Sequence, residues 1–208
     1  MSVLVYVNSS TGIHKSANEA VTYAKKLGGS VTVITNGGCD AATLASLGKY
    51  GADKVLVDRS VNSNDDQQLT RMIATAADSV GATTVVFSHD LTAKAVAPRL
   101  SVRMKAGLIS GAIDLPSGDG TTKVNVFSGK AFGAVKVNTS KKIISLLPNS
   151  IQPEATGSDC AVEDFNGNAG STNVKVITTK KPEGEIPLPE AERKNYRNAV
   201  KNMTKLEM

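Results

Sequence analysis

Short apolar runs alternate with segments of helical periodicity through the first hundred residues. Val3-Leu4-Val5-Tyr6-Val7 is an unbroken apolar run, the pattern of a strand covered on both faces. Ala17, Ala20, Val21, Ala24 and Leu27 then recur at helical spacing, and Gly28-Gly29 supplies a stop. Val31 to Thr35 predicts a second strand followed by a Gly37-Gly38 turn, after which Asp40 can cap a short helix containing Leu44 and Leu47. Lys54 to Val57 predicts a third strand. Leu69, Met72, Ile73, Ala76, Ala77 and Val80 form the most regular amphipathic stripe, with Asn64-Asp65-Asp66 as cap and first-turn acids. Thr83 to Ser88 predicts a fourth strand. The helix after it contains Pro98, which lacks an N–H, so a late start or a kink is expected there.

From about Gly107 the pattern changes. Lys123 to Phe127 and Ala131 to Val137 read as strands joined by the hairpin-like Ser128-Gly129-Lys130, and Lys142 to Leu147 ends as another at Pro148. Asp159 to Thr172 is rich in Gly, Asn, Ser and Asp and reads as loop, with Val174 to Thr178 as a candidate last strand. Lys180 to Pro189 is a charged, proline-bearing linker, and Tyr196, Ala199, Val200 and Met203 fall on one face of a short amphipathic helix. These elements predict an α/β fold: a parallel sheet with helices on both faces, plus a C-terminal antiparallel β extension. Residues 1–179 are expected to form the α/β domain and residues 180–208 the linker and helix.

Composition narrows the function classes. The 208 residues are 40% hydrophobic and only 4% aromatic, without Trp, which suits an aliphatic core and disfavours stacking on single-stranded nucleic acid. The net charge of +5 comes from lysines scattered among acids, so no nucleic-acid partner is expected. Cys39 and Cys160 match no metal-ligand or CxxC spacing, and His14 and His89 are the only histidines, which excludes a His-rich metal site. No apolar run approaches the ~20 residues a membrane span needs. Nor does a signal segment precede the first strand, so the expectation is a soluble, cytoplasmic chain without membrane insertion.

In an open α/β sheet, ligands sit at the carboxyl ends of the strands, which directs attention to the loops after Val7, Thr35, Val57 and Ser88. Asn8-Ser9-Ser10-Thr11-Gly12 offers hydroxyls and N–H groups, yet a generic polar turn explains it as well. A phosphate cradle needs glycines, and between Ser88 and Arg99 there is none, while Asp90 would repel an anion. GxGxxG and GxxxxGK[ST] are absent throughout. His89 beside Asp90 suggests acid–base chemistry, but sequence neighbours seldom point at one another and no motif sets a Ser or Cys nucleophile beside them. Arg99 reads by default as a surface ion-pair partner. No catalytic, cofactor-binding or metal-binding residue is assigned.

Several stretches together carry a family resemblance: Val3 to Val7, Tyr50-Gly51-Ala52-Asp53-Lys54-Val55-Leu56-Val57, and Leu91 to Ser110 around Ala97-Pro98-Arg99-Leu100. Gly107-Leu108-Ile109-Ser110-Gly111, Ser128-Gly129-Lys130-Ala131 and Gly184-Glu185-Ile186-Pro187-Leu188-Pro189-Glu190-Ala191-Glu192 extend it. In order and spacing they resemble the N-terminal domain of the electron transfer flavoprotein alpha subunit. That resemblance implies an adenine nucleotide alpha hydrolase-like fold and a role as an electron-carrier subunit domain without catalytic residues of its own. It implies pairing with a beta subunit and FAD held by a separate C-terminal domain of the complete assembly. It also implies electrons drawn from acyl-CoA-type dehydrogenases in fatty acid beta-oxidation, in the cytoplasm or, in a eukaryote, the mitochondrial matrix. After Glu192 this sequence departs from the family and continues Arg193-Lys194-Asn195-Tyr196 to Met208. The flavin-binding motifs are missing, so no FAD ligand carries over, and a fragment or a short form is expected. A rival of another class is a small AMP- or ATP-binding protein of the same fold, against which the glycine-free loop after Ser88 argues.

Overall fold

Among the described residues, the alternation of runs and stripes is realised as one nine-stranded sheet. The computed structural model describes residues 1–172 and 174–178. The chain divides into two units, residues 1–174 and 175–208. The linker and the amphipathic helix read from residues 180–208 lie outside the described residues.

Strands β1 (Ser2–Val7), β2 (Ser30–Thr35), β3 (Lys54–Val57), β4 (Thr84–Ser88), β5 (Gly107–Ala112), β6 (Thr121–Val126), β7 (Ala131–Lys136), β8 (Lys142–Leu146) and β9 (Ala161–Asp164) stand in the order β7-β6-β5-β8-β4-β1-β2-β3-β9. All pairings from β5 through β9 across the centre are parallel; β5–β6 and β6–β7 are antiparallel. The antiparallel part is therefore one edge of the same sheet, entered before β8 returns to the parallel body. Helices α1 (Lys15–Leu27) and α2 (Ala41–Ala45), with a 3-10 turn over Ser46–Tyr50, contribute to the cluster on one face with Val3, Val5, Val31 and Val33. Helices α3 (Asp66–Ser79) and α4 (Leu91–Met104) cover the other with Leu4, Tyr6, Ile34 and Phe87. Alternate residues of β1 thus enter different cores, which is why its sequence shows no polar alternation.

The caps follow the sequence. Asp40 accepts from Thr43 N–H at 2.8 Å, and Asp65 from the N–H groups of Gln67 and Gln68 at 2.9 and 3.2 Å. Gly28 ends α1 at φ 87°, a conformation that a Cβ disfavours. Helix α4 does not start late. It begins directly after its cap Asp90 and runs through the proline. Pro98 and Lys94 are both exposed, so the Lys94 carbonyl that loses its helical partner lies on the open side of α4, where solvation lowers the cost.

Three departures from the sequence reading concern the later part of the chain. Gly107–Ala112 is a strand that the glycines and Ser110 conceal; its register shifts at Gly111, a bulge with φ 74°. The stretch from Asp159 to Thr172 is not simply loop, since Ala161–Asp164 pairs in parallel with β3. Val174 to Thr178, by contrast, forms no strand.

The polar residues around β9 act as tethers. Before it, Asn149 N–H donates to Glu19 at 2.8 Å, Glu154 N–H to Thr22 at 3.2 Å, and Thr156 and Gly157 N–H to the Lys49 carbonyl at 2.9 Å each. A Cβ on Gly48 would lie 2.4 Å from the Ser158 carbonyl oxygen, so this backbone contact requires glycine. After β9 the chain crosses to the opposite face. Gly167 N–H donates to buried Asp58 at 2.7 Å, Gln68 Nε2 to the Gly170 carbonyl, and Thr172 Oγ1 to Asp65 at 2.7 Å.

Asp58 also accepts from Ser60 N–H at 3.0 Å and from Ser60 Oγ at 2.6 Å, so its carboxylate holds two segments at once. Asp58→Ala should lower the unfolding free energy by about 2–4 kcal/mol in urea titrations, given about 1.5–3 kcal/mol for a hydrogen bond to a charged group. Limited proteolysis should then cut within residues 165–174 first.

Candidate functional site

The strand order reverses direction between β1 and β4, so the crevice that receives ligands in such sheets lies at their carboxyl ends. The loop after β1 is committed to the loop after β2. Ser9 is fully buried; its hydroxyl lies 2.6 Å from Thr35 Oγ1 and accepts from Gly38 N–H at 3.0 Å. Ser9 N–H donates to Asn36 Oδ1 at 3.4 Å, and the Cys39 thiol to the Ser9 carbonyl at 3.3 Å. A Cβ on Gly38 would fall 2.3 Å from that carbonyl oxygen. The glycine of this loop is filled by the neighbouring backbone, and the hydroxyl an anion would need already has partners. These residues do not fit the diphosphate of a flavin dinucleotide, because the N–H groups of Ser9, Ser10, Gly12 and Gly38 that would have to converge on it are each bonded within the two loops.

His89 and Asp90 diverge. Asp90 turns into α4 and accepts from Ala93 N–H at 2.7 Å, with burial raising its pKa against that bond and other backbone N–H groups. His89 turns toward the sheet: its N–H donates to the Leu146 carbonyl at 2.7 Å, and its Nδ1 lies 2.9 Å from Ser145 Oγ. Ser145 Oγ also accepts from Gly111 N–H at 3.2 Å, at the β5 bulge. One buried hydroxyl of β8 thereby joins the loop after β4 to the bulge of β5. Burial, and then Lys94, holds the His89 pKa below 6.5 and favours the neutral ring. The arrangement fixes backbone and places no nucleophile beside the imidazole.

The other residues singled out by sequence lie apart from this crevice or are engaged. His14 precedes α1 and lies 3.3 Å from Thr11 Oγ1. Cys160 donates to the Ala45 carbonyl at 3.5 Å beside β9, and burial pushes its thiol pKa up. Arg99 stands 3.7 Å from Asp66 on the α3–α4 surface. Among the described residues no group of three or more His, Cys, Asp or Glu side chains could hold a metal ion. No described helix is long and apolar enough to cross a membrane.

A surface that sequence reasoning passed over lies at the opposite edge. The β6–β7 hairpin buries Val124 and packs Val126, Val135 and Val137 against one core, while its other face presents Phe132 and the Lys123 ammonium 4.0 Å above its ring. Phe132 is 61% exposed, and Phe127 at the hairpin tip is 79% exposed. Phe127 and Ser128 have φ of 52° and 54°, a left-handed conformation that is unusual for a bulky side chain. The Asn125 side-chain carbonyl is buried without a hydrogen-bond partner next to Phe132 in the register. The sequence signal was available: an aromatic at the position where a hairpin turn ordinarily carries Asn or Gly.

Residues 3–181 match the electron transfer flavoprotein domain family. The electron transfer flavoprotein subunit alpha of Syntrophomonas wolfei subsp. wolfei (strain DSM 2245B / Goettingen) is 30% identical over 139 residues, covering 64% of this chain and 44% of that protein. The electron transfer flavoprotein subunit alpha of Bacillus subtilis (strain 168) is 32% identical over 108 residues, covering 50% and 33%. The chain spans less than half the length of these curated relatives.

The depressed pKa of His89 has a consequence for stability. A base whose pKa falls on folding binds fewer protons in the native state, so its contribution is complete above the unfolded pKa and is lost as pH falls through the folded one. Denaturation midpoints should therefore decline below about pH 6.5. In His89→Gln, which cannot titrate, that part of the decline should be shallower, and the NMR titration of the wild-type imidazole should give a midpoint below 6.5.

Proposed function

Because the chain belongs to the electron transfer flavoprotein domain family, we propose that it is the assembly half of an alpha subunit, docking a beta subunit through the β6–β7 edge. The observation that supports this reading is the exposed hairpin. Two aromatic rings stand in water, one held in an unfavourable backbone conformation, beside an unpartnered amide carbonyl and an edge strand with one row of free backbone groups. Such a surface gains from burial against a partner, since exposed aromatics are the side chains that contribute most when an interface forms.

On this reading the chain contributes to electron transfer by positioning. FAD belongs to the complete assembly, and the electrons come from acyl-CoA-type dehydrogenases. The stitched loops after β1 and β2, and the Asp90-capped turn after β4, are consistent with a scaffold that carries no redox group. The residues that make the assembly are then Phe127, Phe132 and the backbone of β7, rather than a catalytic set.

Co-expression with a beta subunit from the same source should yield a complex that co-purifies. Phe127→Asn removes the ring and suits the left-handed conformation, so it should leave thermal unfolding unchanged or raised while weakening the complex about tenfold or more. Failure to form any complex, or unchanged affinity in Phe127→Asn, would overturn the reading. The purified chain should also be colourless, without stoichiometric flavin absorbance after gel filtration.

A further inference from the structure

Helices α3 and α4 lie side by side, and the groove between them gathers three guanidinium groups. Arg71 comes from α3, Arg99 and Arg103 from α4, and with Gln67 and Thr70 they line a depression of about 270 Å³. The spacing places Gln67 and Arg71, and likewise Arg99 and Arg103, one helical turn apart, so both helices present the same groove.

The charges there are poorly compensated. Asp66 stands 3.7 Å from Arg99, and both side chains are substantially exposed, so that pair is weak. Arg103 forms no hydrogen bond or ion pair among the described residues. Arg71 is half-buried, and its Nε is buried with no acceptor. A buried donor without a partner is unfavourable, and like charges lining one groove add to that. An anion seated between the helices relieves the like-charge penalty, and it can reach the guanidinium groups of Arg71, Arg99 and Arg103 that line the depression. Three arginines against one aspartate leave a charge of +2, complementary to a dianion. The planar guanidinium fork matches phosphate oxygens in a bidentate manner. The volume admits a phosphoryl group and part of a molecule bearing it.

We propose that the α3–α4 groove binds a phosphate group through Arg71, Arg99 and Arg103. The site lies on an outer helical surface and is distinct in residues from the hairpin edge and from the crevice after β1 and β4. It does not depend on the assembly reading.

Titration of the ¹⁵N-labelled chain with inorganic phosphate, followed on the arginine Nε–Hε resonances, tests the proposal. Saturable shifts of Arg71 and Arg103 are expected, with no such shifts from sodium chloride at equal ionic strength. Arg103→Gln, an exposed and unpaired residue, should keep the fold and weaken binding about tenfold; Arg71→Gln tests the buried fork where it folds. Glycerol phosphate distinguishes the source: tighter binding than inorganic phosphate points to an ester ligand, and equal binding to the free anion. Non-saturating shifts, identical curves for Arg103→Gln, or saturation by a polyglutamate peptide and not by phosphate would each overturn it.

Discussion

The insertion of β8 between β4 and β5 is the constraint on which the rest of the molecule depends. Without it, β5, β6 and β7 have no strand pairing with the parallel body, because β4 and β5 are not neighbours. Its sequence meets the demand from both sides. Ile143 enters one core while Ile144 and Leu146 enter the other, and all three are essentially inaccessible to water. Fully burying a side chain of this size contributes roughly 1.5–3 kcal/mol, so a five-residue strand is held firmly by three of its members. The remaining inner residue, Ser145, is polar in the one place where polarity is used, bridging Gly111 and His89.

That bridge explains why the carboxyl end of the sheet is chemically occupied. A bulge at Gly111 breaks the regular ladder, and the Ser145 hydroxyl takes up the N–H that the bulge exposes. On the other side of β1, Ser9 performs the corresponding task for the β2 loop. In both places a hydroxyl that sequence inspection would offer to a ligand is consumed by the backbone of an adjacent loop. The same economy governs the chain after β8. The N–H groups of Asn149 and Glu154 bond to α1 side chains, those of Thr156, Gly157 and Cys160 to the Lys49 and Ala45 carbonyls, that of Phe165 to the Val57 carbonyl and that of Gly167 to Asp58.

How legible this was depends on the scale of the interaction. The β1, β2, β3 and β4 strands and the α1 and α3 stripes were readable because each is dictated by local periodicity over several residues. Strand β5 was hidden by Gly107, Ser110 and Gly111. Those residues depress strand propensity, yet Gly107 is required by the approach of Val137, and Gly111 sits at the bulge. Strand β9 was hidden for a different reason. Its four residues, Ala161-Val162-Glu163-Asp164, lie at an edge with little burial, and only β3 makes them a strand. Neither requirement is visible before the partners are in place. The helix through Pro98 shows the converse: a local penalty became tolerable because the orphaned carbonyl faces water. At the candidate site, the absence of a glycine cradle was legible. The hairpin tip was legible only as unusual turn chemistry at Phe127; its exposure was not, because an aromatic in a strand pattern reads as core until the sheet shows which face it occupies.

The two edges of the sheet differ in a way that bears on assembly. Strand β9 is short and carries Glu163 and Asp164, paired with Lys54 and Arg59 of the neighbouring segment, which blunts it against further pairing. The β7 edge is six residues long and ends in an aromatic tip, with protection limited to Lys130, Lys136 and the small residues Gly133 and Ala134. Lysine deters indiscriminate strand addition because burying an unpaired ammonium is unfavourable, but it admits a partner that brings a carboxylate. Selectivity at this edge then follows from combining two demands. For a beta subunit docked as proposed, the edge would ask for apolar area for Phe127 and Phe132 and an acidic group for Lys130, since Lys136 already stands 3.8 Å from Asp119, and a second copy of the same edge supplies the first without the second.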